Sequence, residues 1–245
     1  MNEYNLEKQT ENILKDNKWE IKSHLHYEDP STKKDREKDI IATSFELERE
    51  DILQYYCRLF IECKYLPKET VICLEDINMD EIEKTILSYN MPSMEISEIE
   101  RYKKLHFYEY TKVLMHKDSG DFFYKPINQS LQSFNAFRKA TNEKAIYYLL
   151  VVYDGNLKFQ DKNGNKKDCN NILFWMRTLG SLYDLPNNEC FIELVSIDQL
   201  ENFLKKIRED IGKINSIIYF YYKKEKDKID ENRRRVKNEK NDYGL

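Results

Sequence analysis

Glycine is scarce in this chain, with six in 245 residues, and proline scarcer, with five. There is no Gly/Ser-rich linker, no internal repeat and no Gly-x-x-x-x-Gly-Lys-Ser/Thr loop to cradle a nucleotide phosphate. No Gly-x-Ser-x-Gly elbow and no His-Glu-x-x-His helix is present, which removes the hydrolase and metalloprotease readings those motifs carry. The five cysteines (57, 63, 73, 169 and 190) are odd in number and form no Cys-x-x-Cys pair. They read as buried thiols in a reducing compartment, and the expected location is the cytoplasm. Long apolar runs are missing too. The longest, Ala145 to Tyr153, is far short of a bilayer span. The polar start Met-Asn-Glu-Tyr-Asn-Leu-Glu does not read as a signal peptide, so no membrane partner is expected.

What is present is charge and aromatic side chains. Charged residues make up 34% of the chain, above the usual quarter, with 40% hydrophobic and 13% aromatic. That suffices for a sizeable core under a heavily solvated surface. The net charge of −4 and pI near 5.8 argue against non-specific coating of nucleic acid, though not against one local basic groove.

Periodicity predicts a helix over 3–17, with Leu6, Thr10, Ile13 and Leu14 as its apolar stripe and Glu7 and Glu11 beside it. A strand is expected from Trp19 to His26, then a turn at Asp29-Pro30-Ser31 and a charged loop from Lys33 to Lys38. A second strand, Asp39 to Leu47, has Asp39 at its entrance. After a hairpin connection at 48–51 comes an apolar strand from Tyr55 to Tyr65, ended by Pro67. Further strands are expected at Thr70–Leu74, Ala145–Tyr153 and Glu189–Val195. Asp154-Gly155 is read as a turn into a short strand, Asn156 to Phe159, and Asn163-Gly164 as a second turn. Helices are expected at 79–88, 128–140, 170–183 and from a capping box at Ser196–Gln199 onward. From 223 to 240 the chain carries nine basic and five acidic residues, as a solvated helix or a disordered tail. Residues 92–127 show no sustained period.

The strand that ends Glu62-Cys63-Lys64 carries the chemistry. Side chains two apart on a strand share a face, so Glu62 and Lys64 point one way and Leu59, Ile61 and Cys63 the other. A carboxylate and a lysine at the end of an apolar strand are costly in a core and useful at a metal site. The order helix with Glu7, strand, strand with Asp39, strand with Glu62-x-Lys64, helix, strand resembles the PD-(D/E)xK, or restriction-endonuclease-like, nuclease superfamily, with the spacing Asp39-x22-Glu62-x-Lys64. Lys38 stands where the family name has proline. Glu20-Ile-Lys22 also satisfies Glu-x-Lys, so position rather than the tripeptide makes the match.

The resemblance implies an α/β fold with a restriction-endonuclease-like core: a mixed central sheet flanked by helices, a helical insertion and a C-terminal helix. It would span 1–222, with the insertion at about 76–127 and a charged tail at 223–245. It implies a phosphodiester hydrolase that uses Mg²⁺ or Mn²⁺ on nucleic acid, DNA above RNA, in restriction, phage-defence, mobile-element or repair work. Asp39, Glu62 and the Cys63 main-chain carbonyl would hold the metal, because Mg²⁺ takes one or two carboxylates plus water and phosphate oxygens. Lys64 would hold the attacking water or stabilise the transition state, with Glu7 and Gln129, or Gln132, in support. A homodimer, or a place in a multi-subunit system, is the expected assembly.

Three alternatives stay open. Glu62 and Lys64 form a salt bridge at a strand end while Asp39 merely begins a strand; the fold is nuclease-like but inactive; or the chain is a non-catalytic nucleic-acid- or protein-binding module. His24 and His26 share a strand face without a third ligand, and His106 and His116 lack ligand spacing. The Tyr219–Tyr222 run packs or stacks bases. Arg233–Arg235, Lys103, Lys104 and Lys112 are solvated charge or phosphate contacts.

Overall fold

The computed structural model of the protein describes residues 2–29, 33–44, 56–76, 110–114, 129–137, 145–160, 163–168, 171–177 and 189–242. The expected hairpin connection at 48–51 and helix at 79–88 lie outside these residues, as does 92–127 apart from 110–114.

Helix α1 (Glu3–Asp16) starts where Asn2 Oδ1 accepts the Asn5 N–H at 2.9 Å, and ends at Asn17 followed by Lys18 at positive φ. Leu6, Thr10 and Leu14, one turn apart, are buried against the sheet. Strands β1 (Glu20–Glu28), β2 (Asp35–Ser44) and β3 (Tyr56–Asp76) form an antiparallel meander. Strand β4 (Tyr110–Leu114) pairs with the far end of β3. Helix α2 (129–137) then leads into β5 (Ala145–Gln160), which runs parallel to β3. Strands β6 (Lys166–Asp168), β7 (Asn171–Arg177) and β8 (Glu189–Ser196) follow, and helix α3 (Leu200–Asp242) closes the described chain.

The fold is α/β, with a single mixed sheet of eight described strands and helices packed on it. Pairings pass from β3 through β4, β7, β8 and β5 back to β3, so five of the strands close a ring.

Two layers sandwich β3 and β5. On one face Leu59, Ile61 and Cys63 meet Ile146, Tyr148, Leu150 and Val152 beneath Leu6 and Leu14 of α1 and Phe203, Leu204, Ile207 and Ile211 of α3. On the other, Phe60 and Tyr147 pack edge-on to Phe134 of α2, with ring centroids 5.5 and 5.4 Å from it. Each fully buried side chain of this size contributes roughly 1.5–3 kcal/mol.

Several expectations are corrected. Residues 35–38 are strand, not loop, so Asp39 sits inside β2 rather than at its entrance. The charged side chains there are mostly on an accessible surface, and their backbone still pairs with β1 from Glu28↔Asp35 onward. Pro67 does not end β3. It falls where the pairing with β5 shifts register between Leu66 and Thr70, a place where a missing N–H is tolerated. The Thr70–Leu74 segment is therefore the same strand continued.

Asp154-Gly155 is not a hairpin turn either. Gly155 lies within β5 opposite Leu66 at φ 133°, and a Cβ there would stand 2.3 Å from the Leu66 carbonyl oxygen. The glycine marks a close approach of two backbones. The turn at Asn163-Gly164 is found, joining β5 to β6. Residues 171–177 form strand β7, not a helix, since pairing on both sides overrides the local pattern. Ser196 makes no side-chain cap; a 3₁₀ turn, Ile197–Gln199, leads into α3 instead.

Candidate functional site

The site lies where β2 parts from β3. Their pairing runs from Ser44↔Cys57 to Ile40↔Ile61. Beyond it the Cys63 N–H donates to the Asp39 carboxylate, at 2.8 Å. One residue earlier, Lys38 Nζ donates to Glu62 Oε2 at 2.8 Å and to Ser130 Oγ of α2 at 3.0 Å. Adjacent residues of β2 thus clasp adjacent residues of β3.

Strand alternation alone would not do this. Ile40 and Ala42 belong to the core face under α1, and Lys38 has their parity, yet its ammonium joins Ser130 on the α2 side. Strand β1 changes allegiance at the same level. Ile21 packs on the α1 side, whereas Tyr27 meets Phe137 of α2 and donates to the Gln129 carbonyl at 3.3 Å. Between them the pairing skips one position. Ser23 faces Ile40 and Leu25 faces Lys38, while His24, at φ 55°, lies opposite Asp39 outside the register. A positive φ in a strand is a strained conformation for histidine. It marks the irregularity that lets Lys38 and Asp39 reach their partners.

The electrostatics follow from burial. Glu62 is 5% exposed, and loss of water pushes its carboxyl up to about 7, opposed by Lys38 and reinforced by Asp39. Burial also raises the Asp39 carboxyl, against the pull of Lys38 and of the Cys63 N–H. Glu7, from α1, is raised by burial and then by the charge of Asp39, so the first helix does contribute to this field. The Cys63 thiol is pushed up by burial and donates to Thr10 Oγ1 at 3.6 Å, which makes it a core group rather than a nucleophile.

Of the expected residues, Asp39 and Glu62 come together at the fork, and Glu7 is coupled to Asp39. Lys64 is near enough to lower Glu62, but its ammonium is bonded to Glu3 at the start of α1. Gln129 offers its carbonyl to Tyr27, and the α2 side chain that enters the cluster is Ser130, whose hydroxyl also reaches the Leu150 carbonyl at 3.5 Å.

Lys38 and Ser130 are the residues that sequence reasoning missed. The available signal was a lysine immediately before Asp39, where the resembled family has proline. The competing tripeptide is excluded: Glu20 and Lys22 are exposed on β1. His24 and His26 are exposed as well and pair with Glu37 at 2.5 Å and Asp35 at 2.9 Å.

Among the described residues no three His, Cys, Asp or Glu side chains stand ready to hold a metal ion. The donor set is instead two carboxylates with a third coupled to them. That does not suit a preformed zinc or calcium cage. It fits Mg²⁺, which binds through one or two carboxylates and completes its shell with water and phosphate oxygens. Among the described residues no helix is long and apolar enough to cross a membrane. No protein-family model, curated protein or solved structure matches the chain.

Proposed function

We propose that the protein is a divalent-metal-dependent nuclease with a restriction-endonuclease-like core, acting on DNA. The observation that carries this reading is the meeting of Asp39 and Glu62, from two strands, at one partly accessible fork. The order of elements supports it: a helix, three antiparallel strands and, beyond β4, a helix and a strand parallel to the third.

Asp39, the free oxygen of Glu62 and the Cys63 carbonyl would hold Mg²⁺ or Mn²⁺, with Glu7 reaching it through water. The ion would lower the pKa of a bound water and offset charge on the phosphate. The chain's own part is to fix the carboxylates. The Cys63 N–H orients Asp39, and Lys38 orients Glu62. Cys57 and Cys63, buried and outside any disulfide, suit the cytoplasm, and restriction or phage defence is a fitting setting.

Asp39→Ala and Asp39→Asn test the reading on plasmid DNA with Mg²⁺ or Mn²⁺. Both lose at least about 100-fold in cleavage, the scale of losing one charge-stabilising group. Asn keeps an acceptor for the Cys63 N–H and so keeps the fold. Wild-type protein that cleaves no DNA or RNA with either metal overturns the reading.

One observation favours a second reading, that of a non-catalytic binding module. Glu62 is already neutralised internally by Lys38, as a purely structural ion pair would be. In that case Asp39→Asn leaves nucleic-acid or protein binding intact, and no metal changes it.

A further inference from the structure

We infer that Lys38, and not Lys64, is the lysine that positions the site's glutamate for reaction. This rests on the nuclease reading above and assigns a role within it. Both lysines flank Glu62, and their surroundings differ. Lys64 keeps 21% of its side chain exposed and is bonded to Glu3, itself half exposed, at the mouth of α1. Lys38 is wholly buried, with Glu62 Oε2 at 2.8 Å and Ser130 Oγ at 3.0 Å, and Ser130 is tied back to the Leu150 carbonyl. A lysine whose ammonium is held on two sides cannot wander, and it fixes the carboxylate it touches. Lys64, with part of its side chain in water and its Glu3 partner half exposed, stands at the solvated edge of the site.

Stability alone gives no reason for such a pair, because apolar residues of similar volume commonly replace a buried ion pair without loss. The position gives one. Lys38 precedes Asp39, so a single irregularity opposite His24 sets Asp39 against Cys63 and Lys38 against Glu62. Lys38 acts through Glu62: it is a positioning residue. With Oε2 engaged, Oε1 is the oxygen left to turn toward a cation.

The test compares Lys38→Met, Lys38→Arg and Lys64→Met with wild type. Plasmid cleavage with Mn²⁺ is measured, with folding checked by circular dichroism and Mn²⁺ binding by electron paramagnetic resonance on the same samples. Folded Lys38→Met is expected to lose more than about 100-fold in kcat, with KM within about threefold, and to need more Mn²⁺ for half-maximal rate. Lys38→Arg recovers at least about tenfold of that loss, and Lys64→Met loses less than about tenfold.

The inference is overturned if folded Lys38→Met stays within about tenfold of wild type, or if Lys64→Met is the more damaging change. Should Lys38→Met fail to fold, Lys64→Met and Lys38→Arg decide it by the same ordering. Active wild type with the opposite ordering removes this assignment alone. Wild type that binds Mn²⁺ and cleaves nothing removes the nuclease reading, and this inference with it.

Discussion

The two faces of β3 are built from the same strand and obey opposite rules. On one, Leu59, Ile61 and Cys63 continue an apolar layer, and at its end the Cys63 thiol meets the Thr10 hydroxyl. On the other, Phe60 packs on Phe134 and Phe137, and one step along the layer turns into Lys38, Glu62 and Ser130. The first face is held by area removed from water and tolerates exchange of one apolar residue for another of like volume. The second is held by geometry. Each of its buried polar groups must keep its partner, because an unpaired charge in that setting is expensive. A face that could have been apolar, and is not, is where a function is best sought.

The difference breaks most sharply in the ion pair. Lys38→Met leaves the Glu62 carboxyl buried without the cation that opposes its burial and should cost about 3–5 kcal/mol in denaturant unfolding above pH about 7, where that carboxyl is ionised. The double variant Lys38→Met, Glu62→Met should recover all of that loss, or exceed wild type, while abolishing activity. If single and double variants are equally destabilised, the pair is part of the core's support and the contrast between the faces fails.

Acid titration sharpens the same contrast. The Glu62 carboxyl is raised from its ordinary 4.5 to about 7 by burial. The folded state therefore binds the proton more tightly than the unfolded state does. The stabilisation this lends is complete below pH about 4.5 and is lost as pH rises through about 7. It amounts to at most about 3 kcal/mol across that window. Unfolding free energies measured from pH 4.5 to 7.5 should carry this falling component in wild type, and the double variant should lack it. Asp39 and Glu7, also raised, add to the slope with the same sign. A double variant with an unchanged profile would mean that Glu62 is not the source.

Ser130→Ala is a smaller perturbation. It removes the hydroxyl that takes the Lys38 ammonium and reaches the Leu150 carbonyl, and should cost about 1 kcal/mol. The loss should vanish in the background of the double variant, where the ammonium is gone. Equal losses in both backgrounds would assign the effect to packing of α2.

Much of this arrangement was legible in the sequence, and the reasons for the remainder are physical. Parity placed Glu62 opposite Leu59, Ile61 and Cys63, and the apolar run placed β5 in the middle of the sheet. Both are local properties of a strand. The merging of two expected strands across Pro67 was not legible, since it depends on a register shift against β5, far along the chain. For the same reason Gly155 read as a turn: its need for glycine comes from the Leu66 carbonyl and not from its neighbours in sequence. Lys38 reads as loop because a run of charged residues resembles irregular structure. Its role depends on a break in alternation at His24, which no period of 2 can foresee.

The smallest effect expected concerns Lys64, where the sequence pattern pointed most directly. Its contact with Glu3 joins two partly exposed side chains, so solvent screens the attraction and two long side chains must be ordered to make it. Lys64→Ala should therefore change unfolding free energy by less than about 1 kcal/mol and, by the ordering argued above, leave most activity in place. Raising salt to about 1 M, where the Debye length falls to about 3 Å, should erase even that difference while leaving the cost of Lys38→Met almost untouched. A Lys64→Ala loss that matched Lys38→Met in size and resisted salt would place Lys64 inside the buried network. The two lysines would then have to exchange the roles that the fork at Asp39 gives them.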